Sequence, residues 1–252
     1  MSVPPKTNSW RKPIARTALA LALALTAAAP ALAVAPQSVH KDAASEAQKA
    51  SAEVQAEQGT LYIAYSGPVV PGMAKFLANE FAKYRDWTHR VILILNSPGG
   101  SVEEGERVID VLREIRVTHR LDTAVFQGAT CASMCVPIFL QGRERYAAGS
   151  SLWVFHEASR VADGDDGKAV ADDEETLRLF RSYYVKAGVR VAWLNEVLAK
   201  IANGHNLWQT GQELVAANAG IITRGLSNVT ERPELKPAGA PAQAERRTPV
   251  SR

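Results

Sequence analysis

Residues 90–101 read Arg90-Val91-Ile92-Leu93-Ile94-Leu95-Asn96-Ser97-Pro98-Gly99-Gly100-Ser101. The first half is a nearly continuous apolar run, which is typical of a strand covered on both faces. Two glycines at the end of such a strand let the backbone approach a ligand closely and point N–H groups at it. Pro-Gly-Gly is also an ordinary turn, so the stretch alone predicts a buried strand and a glycine loop, not an activity.

Strand and helix signals alternate on either side of this stretch. Helical spacing runs from Met73 to Tyr84 and from Val102 to Ile115. Further short strands are predicted at 61–65, 123–126 and 152–155, a buried helix at 133–140, and a closing series of helices at 173–186, 191–201 and 212–218. A βαβ series followed by helices predicts an α/β fold with a largely parallel sheet and flanking helices.

The first 33 residues have the order of a secretory signal peptide. Four cations precede an uncharged run rich in Ala and Leu, from Thr17 to Ala29, and Ala31-Leu32-Ala33 gives an Ala-x-Ala cleavage pattern. The alternative is an uncleaved membrane anchor, although the apolar run is shorter than the roughly 20 residues that a span needs. We therefore expect cleavage after Ala33 and a periplasmic or secreted protein with no membrane span in its mature form. If the signal stays uncleaved, the protein is membrane-anchored.

Composition divides the rest of the chain into three parts. Residues 34–58 are rich in Ala, Gln, Glu and Ser and are predicted to be a linker, or a helix with no core to pack against. Residues 227–252 carry four prolines among Ala, Glu and Arg, as in a solvated tail. One domain at 59–226 remains. Without the four cations of residues 1–33, 25 cations face 26 acids, so the composition does not support a nucleic-acid-binding surface.

Two further segments carry chemical groups. Gly128-Ala129-Thr130-Cys131-Ala132-Ser133-Met134-Cys135 is a turn of small residues between a strand and an apolar helix, with a hydroxyl at the junction. The simplest interpretation is that Ser133 caps the helix. Phe155-His156-Glu157 places a histidine at the end of a strand. A serine, an oriented histidine and a glycine loop with free N–H groups are together the parts of an acyl-transfer site.

These segments resemble the ClpP-like serine peptidases, within the wider ClpP/crotonase fold. The matching residues are Leu95-Asn96-Ser97-Pro98-Gly99-Gly100-Ser101-Val102, Cys131-Ala132-Ser133-Met134 and Val154-Phe155-His156, with Arg145 eleven residues before the histidine. Trp208-Gln209-Thr210-Gly211-Gln212-Glu213-Leu214 and Ala219-Gly220-Ile221-Ile222 resemble the closing helix and strand of the family. The similarity covers essentially the whole domain and implies a βαβ spiral.

The resemblance implies a role for each matching residue. Ser133 would be the nucleophile, His156 the general base, and the N–H groups of Gly100 and Met134 the oxyanion hole. The substrate would be an extended or unfolded polypeptide, bound as an added strand beside Gly99, Ser101 and Val102. No cofactor and no metal are expected. Because the exported chain would not meet the ATPase partners of the cytosolic family members, we expect it to act without them.

The third member of the triad departs from the family. The family has an aspartate where this chain has Asn206, which can orient an imidazole but brings no charge to it. His205 and the acids of 163–166 are alternative partners of the histidine. Gly128 lies one residue further from the serine than in the family, and Glu157-Ala158 replaces Gln-Pro. Homo-oligomer formation stays open, because the helices from Asp173 to Ile201 could pack against another subunit or merely cover the sheet.

Cys131 and Cys135 are the only cysteines, and they flank Ser133. An oxidising compartment favours a disulfide. On a regular helix this spacing leaves the β-carbons about 5–6 Å apart, too far for a bridge, so Cys131 would have to lie in the turn. The other interpretation is two small buried apolar side chains. Two thiols without nearby His or Cys partners do not complete a metal site.

Three other functions compete with a serine–histidine peptidase. Lys168 could serve as the base of a serine–lysine peptidase, as in the related signal-peptide peptidases. The same fold supports crotonase-type acyl-CoA chemistry, which a periplasmic address disfavours. A binding module that kept the fold and lost activity would explain Asn206. Covalent reactivity of Ser133 separates the peptidases from the other two.

Overall fold

The computed structural model describes residues 50–161 and 169–226. The predicted signal peptide, residues 34–49 of the predicted linker, residues 162–168 with the acids of 163–166 and Lys168, and the tail at 227–252 lie outside the described residues. Among those described, no helix is both long and apolar enough to cross a bilayer.

The main sheet has six strands: β1 (Ser51–Glu57), β2 (Thr60–Ser66), β3 (Arg90–Asn96), β4 (Arg120–Val125), β6 (Arg145–Ala148) and β11 (Arg224–Leu226). They lie side by side in that order. All neighbouring pairs are parallel except β1 with β2. The helices α1 (Met73–Tyr84) and α2 (Val102–Thr118) connect β2 to β3 and β3 to β4. The predicted α/β fold with a largely parallel sheet and flanking helices is confirmed.

A second sheet has three strands, β5 (Thr130–Ala132), β7 (Leu152–Phe155) and β10 (Leu207–Thr210), with β7 in the middle. The short helix α3 (Cys135–Phe139) follows β5. A hairpin of β8 (Ser159–Val161) and β9 (Ala169–Ala171) follows β7 and leads into α4 (Asp173–Leu179), which continues as a π-helix over Phe180–Val185. The helices α5 (Val191–Ile201) and α6 (Gly211–Ala216) complete the domain.

The core lies between the main sheet and its helices. Leu61 and Ile63 of β2 and Leu93 and Leu95 of β3 point to one face of the sheet, each at most 1 % exposed. Residues of α1 and α2 at helical spacing, such as Leu77, Val108, Ile109 and Leu112, pack in the same cluster. The buried residues recur with the strand period in β2 and β3 and with the helix period in α1 and α2, which explains why the sequence pattern locates these elements well.

The start of the domain differs from the prediction. Residues 51–57, predicted as part of a linker, form β1 and pair antiparallel with β2 from Ser51↔Ser66 to Glu57↔Thr60. Gln58 and Gly59 both have positive φ, as in the tight turns that favour hairpins. The alternating Ala52, Val54 and Ala56 pack against the core. Such small apolar residues among Gln and Glu give a weak strand signal, which explains the wrong linker boundary.

Candidate active site

The small sheet brings the predicted serine and histidine to one edge. Ser133 directly follows β5 and His156 directly follows β7. These two strands are parallel, with Ala132 opposite Val154, so both carboxyl ends lie at the same edge. Ser97, the residue after β3, forms a parallel bridge with Cys131, which brings the glycine loop to the same place. Three stretches distant in sequence therefore converge at one point.

Contrary to the sequence prediction, Ser133 does not begin the helix. The helix α3 starts at Cys135, and Ser133 lies in a left-handed turn with a φ of 52°. Such a conformation is uncommon for a residue with a β-carbon, and it is held here by hydrogen bonds. The Ser133 N–H donates to the Val154 carbonyl at 3.0 Å, and the Ala132 N–H donates to the Ser97 carbonyl at 3.0 Å. The half-buried side chain is thereby presented at the edge of the sheet.

The glycine loop lies directly against this turn. A β-carbon on Gly99 would lie 2.6 Å from the Ser133 β-carbon, 2.7 Å from the Ala132 carbonyl oxygen and 3.1 Å from the Met134 nitrogen. A β-carbon on Gly100 would lie 2.3 Å from the Val69 carbonyl oxygen. Both glycines have positive φ, so this close approach needs residues without side chains.

Two backbone N–H groups lie unpaired at this point, as far as residues 50–161 and 169–226 show. Within the part of the chain that the structure describes, neither Gly100 nor Met134 donates its N–H to a hydrogen bond. The neighbouring groups are paired: Val69 donates to the Gly99 carbonyl at 2.7 Å, and Ser101 donates to the Val69 carbonyl at 2.9 Å. Free N–H groups beside a serine can hold an oxyanion.

Ser101 and Val102, also predicted to lie beside the substrate, have different surroundings. Ser101 caps α2, because its hydroxyl accepts from the Glu104 N–H at 3.2 Å. Val102 lines a groove. The backbone of Ser101 is paired as well, because its N–H donates to the Val69 carbonyl and its carbonyl accepts from the Gly105 N–H at 3.0 Å.

A groove of about 260 Å³ contains both the serine and the histidine. Its remaining lining is mostly apolar, with Met134, Pro137, Phe155, Leu179, Phe180 and Tyr184 among the side chains. The Phe180 and Tyr184 rings stack with centroids 4.5 Å apart, and burial raises the pKa of the Tyr184 hydroxyl above its usual value, so it stays neutral. An apolar groove of this size beside a serine accommodates one side chain of a bound peptide.

Hydrogen bonds from α4 and the π-helix fix the wall of the groove. The Thr176 hydroxyl accepts from the Ala158 N–H at 2.8 Å, two residues after His156. Tyr183 donates to Glu106 of α2 at 2.8 Å, and Arg178 pairs with the same carboxylate at 2.8 Å. Burial and the Glu106 carboxylate raise the pKa of Tyr183 to about 12. The wall is thus tied both to the histidine segment and to the helix after the glycine loop.

The partner of His156 is not the residue that the sequence suggests. Its Nδ1 lies 2.6 Å from the carbonyl oxygen of Glu157. A carbonyl only accepts, so this nitrogen carries the proton and Nε2 is the basic atom. The exposed Asn206 makes no hydrogen bond to His156, and no hydrogen bond joins Ser133 to the ring. His205 is bonded to the Ala202 carbonyl instead.

The backbone of Asn206 nevertheless lies close to that of His156. The β10 and β7 strands pair antiparallel, with Leu207 opposite Phe155. The residue before β10 and the residue after β7 therefore leave the ladder at the same end. The Glu157 carboxylate accepts from the Gly204 N–H at 2.7 Å and ties the two segments together. This anchoring role of Glu157 has no signal in the sequence.

Cys131 and Cys135 are joined by a disulfide, with α-carbons 5.2 Å apart. Cys131 belongs to β5 and Cys135 to the first turn of α3. The bridge forms because Cys131 lies outside the helix, as the spacing requires. Among the described residues, no group of three or more His, Cys, Asp or Glu side chains could hold a metal ion.

Comparisons with known proteins agree with this architecture. The sequence profile described as Clp protease matches residues 60–185, half of the chain. Among solved structures, the "ClpP1 N165D mutant from Listeria monocytogenes" superposes with a TM-score of 0.51. The match is 15 % identical and covers 67 % of this chain and 92 % of that chain, so it shows the shared fold. The chain therefore belongs to the Clp protease family and is a ClpP-like serine peptidase.

Proposed function

We propose that this protein is an exported peptidase that hydrolyses peptide bonds in extended or unfolded polypeptide. In this proposal Ser133 is the nucleophile, His156 the general base, and the Gly100 and Met134 N–H groups the oxyanion hole. Asn206 is the polar neighbour at the position of the family's third residue. The observation that carries the proposal is the convergence of Ser133, two unpartnered N–H groups and His156 on one groove.

The proposed reaction uses the chemistry of serine peptidases. The Ser133 hydroxyl oxygen attacks the substrate carbonyl carbon and gives its proton to Nε2 of His156. The resulting oxyanion lies against the Gly100 and Met134 N–H groups. The imidazolium returns the proton to the leaving amine, and a water molecule then hydrolyses the acyl-enzyme by the same route. In this chain the Glu157 carbonyl, which accepts from Nδ1, would orient the ring during these steps.

The proposed substrate class is inferred from the shape of the site. Val69 pairs with one edge of the glycine loop, through Gly99 and Ser101. Gly100 stands opposite Val69 in a parallel bridge whose hydrogen bonds use Gly99 and Ser101, so its own N–H is left for a carbonyl of an extended peptide. Backbone pairing selects for an extended chain, and the apolar groove selects only one side chain of it. We therefore propose broad sequence preference and no need for an ATPase partner when the substrate is already unfolded.

Hydrolysis without nucleotide tests this proposal. The purified signal-free chain is incubated with a fluorescently labelled, unfolded polypeptide in nucleotide-free buffer, and with the same polypeptide in its folded form. We expect cleavage of the unfolded form only, lost in Ser133→Ala. Cleavage that persists in Ser133→Ala would reject the nucleophile. Absence of cleavage by the wild type would reject the peptidase proposal and favour the binding module.

A further inference from the structure

The disulfide encloses the reactive part of the site. Only Ala132, Ser133 and Met134 lie between the two bridged cysteines. Two of these three residues are the proposed nucleophile and a proposed oxyanion donor, so a catalytic role for the bridge rests on the proposed function. Both cysteines are 0 % exposed, which leaves the bridge no surface to offer to a partner.

The position of the bridge argues against a role in overall stability alone. Crosslinks stabilise a fold by restricting the unfolded chain, and the effect grows with the length of the closed loop. The cysteines here are four positions apart, so the closed loop is very short. The strand β5 and the helix α3 are also already held by the sheet and by the core cluster, in which both cysteines take part.

The turn between the cysteines has a conformation that needs support. Ser133 has a φ of 52°, which a residue with a β-carbon leaves when its surroundings permit. The Met134 side chain packs so closely on α2 that a β-carbon at Gly105 would lie 2.3 Å from its Cγ. The bridge fixes both ends of the segment, so Ser133 cannot relax without moving a cysteine. A small rotation there would displace the hydroxyl and the Met134 N–H together.

We propose that the Cys131–Cys135 disulfide is a positioning device for catalysis, which holds Ser133 and the Met134 N–H in their reactive arrangement. The reduced chain folds but reacts slowly. An oxidant that itself carries a disulfide supplies the bridge by exchange: the two thiols lose two protons and two electrons, and the oxidant is reduced to two thiols. Activity thus depends on an oxidising compartment, and the buried bridge must form before or during folding.

The test separates positioning from stability. The double variants Cys131→Ser/Cys135→Ser and Cys131→Ala/Cys135→Ala are compared with the wild type in kcat and KM on a fluorogenic peptide, and in the rate of fluorophosphonate labelling at Ser133. The control is Ile115→Ala, a buried residue about 20 Å along α2 from Ser101, which destabilises the fold without touching the turn. All assays run well below the Tm of the least stable variant.

We expect kcat and labelling to fall about 10- to 100-fold in both double variants, with KM within about threefold of the wild type, because oxyanion contacts act on the transition state. The control should keep its kcat despite a lower Tm. Folded double variants that label at the wild-type rate would overturn the proposal.

If the double variants do not fold, reduced wild-type protein is tested in their place. Wild-type protein refolded in excess dithiol lacks only the sulfur–sulfur bond. Reduced protein that folds but reacts slowly would support the positioning role. Reduced protein that fails to fold would show that the bridge is needed for folding, and would overturn the positioning role. If the oxidised wild type itself does not label at Ser133, the proposed function fails first, and the positioning role falls with it.

Discussion

At the level of single residues, the histidine is oriented by an uncharged group. Its Nδ1 faces the Glu157 carbonyl oxygen at 2.6 Å, which fixes the tautomer but adds no negative charge beside the imidazolium of the proposed reaction. In a serine–histidine–aspartate triad, the carboxylate supplies both functions. The Glu157 carbonyl therefore orients the ring, and no carboxylate among the described residues is hydrogen-bonded to it.

Replacing Asn206 by aspartate tests whether a negative charge near His156 increases activity. We expect Asn206→Asp to keep or raise kcat/KM, because a carboxylate at this end of the β10–β7 ladder adds charge near His156. The matched control is Asn203→Asp, the same change at an exposed residue of the same loop, which should leave kcat/KM unchanged. Peptide hydrolysis measures both. Complete loss in Asn206→Asp with normal folding would show that the amide has another task.

Residue types and spacing predict much of the site, but not its conformations. The motifs around Gly100, Ser133 and His156 identify the residues that meet at the groove. They do not reveal the left-handed turn at Ser133 or the Glu157–Gly204 bond, because both depend on strands that are far apart in sequence. The spacing of the cysteines does not decide whether they form a disulfide, because the bridge requires Cys131 to belong to a strand rather than to the helix.

At the level of helices and strands, the position of Met134 depends on the absence of a side chain in α2. Gly105 faces the Met134 side chain so closely that an added β-carbon would lie 2.3 Å from Cγ and 2.6 Å from Cε. Glycine in a helix interior is otherwise unfavourable compared with alanine. The close contact explains why the sequence uses glycine here, and it couples the proposed oxyanion hole to α2.

Gly105→Ala should therefore damage the site more than the fold. We expect fluorophosphonate labelling of Ser133 to slow by about tenfold or more, because displacement of the Met134 N–H weakens oxyanion binding. Gly225→Ala is the control, since no atom lies within 4 Å of a β-carbon built there. Labelling rates and Tm are measured for both variants. Equal labelling in Gly105→Ala and wild type would show that the Met134 side chain moves without its backbone.

A buried carboxylate joins the first two helices. Glu104 is 2 % exposed, and its Oε1 accepts from the Gly72 and Ala74 N–H groups at 3.0 and 2.8 Å. Burial alone raises the pKa of this carboxyl, but the hydrogen bonds from Ala74, Arg107 and Gly72 outweigh it and leave the pKa below its usual value. A lowered folded pKa means that the unfolded state binds the proton first as the pH falls.

The stability contribution of Glu104 should depend on pH accordingly. It is fully present above the unfolded pKa of about 4.3 and is lost as the pH falls through the folded pKa. We expect Glu104→Gln to lower the free energy of unfolding at pH 7 by about 1–3 kcal/mol, and the gap to the wild type to narrow below about pH 4. Denaturant unfolding at several pH values measures this. A gap that does not change with pH would mean that the ionised carboxylate does not stabilise the fold.

At the level of the whole molecule, the sequence predicts the long strands and helices better than the short strands at the edges of the sheets. The strands and helices that bury one face each are predicted close to their observed bounds, because burial imposes a period on the sequence. The β1 strand has only a weak alternation, and the short β5, β6, β8, β9 and β10 strands have too few residues to show a period, so all six are missed. The closing strand, which the resemblance suggests at 219–222, lies at 224–226 as β11. The sheet order also cannot be read from the pattern, since it depends on parallel crossovers.

Export is a prediction of the sequence that a mass measurement checks. We expect the mature protein recovered from the periplasm to begin at Val34, because Ala31-Leu32-Ala33 is the cleavage pattern. A matched variant, Ala33→Leu, should block processing and leave the chain membrane-anchored. An unprocessed N-terminus on soluble, active wild-type protein would contradict the export prediction.

The proposed function depends above all on Ser133 being a nucleophile that His156 activates. Treating the purified signal-free chain with a fluorophosphonate probe and locating the adduct by mass spectrometry tests this activation. We expect an adduct on Ser133 that disappears in Ser133→Ala and is strongly reduced in His156→Ala. Labelling that persists in His156→Ala but requires Lys168 would indicate a serine–lysine peptidase. Absence of labelling in the oxidised wild type would contradict an activated serine altogether.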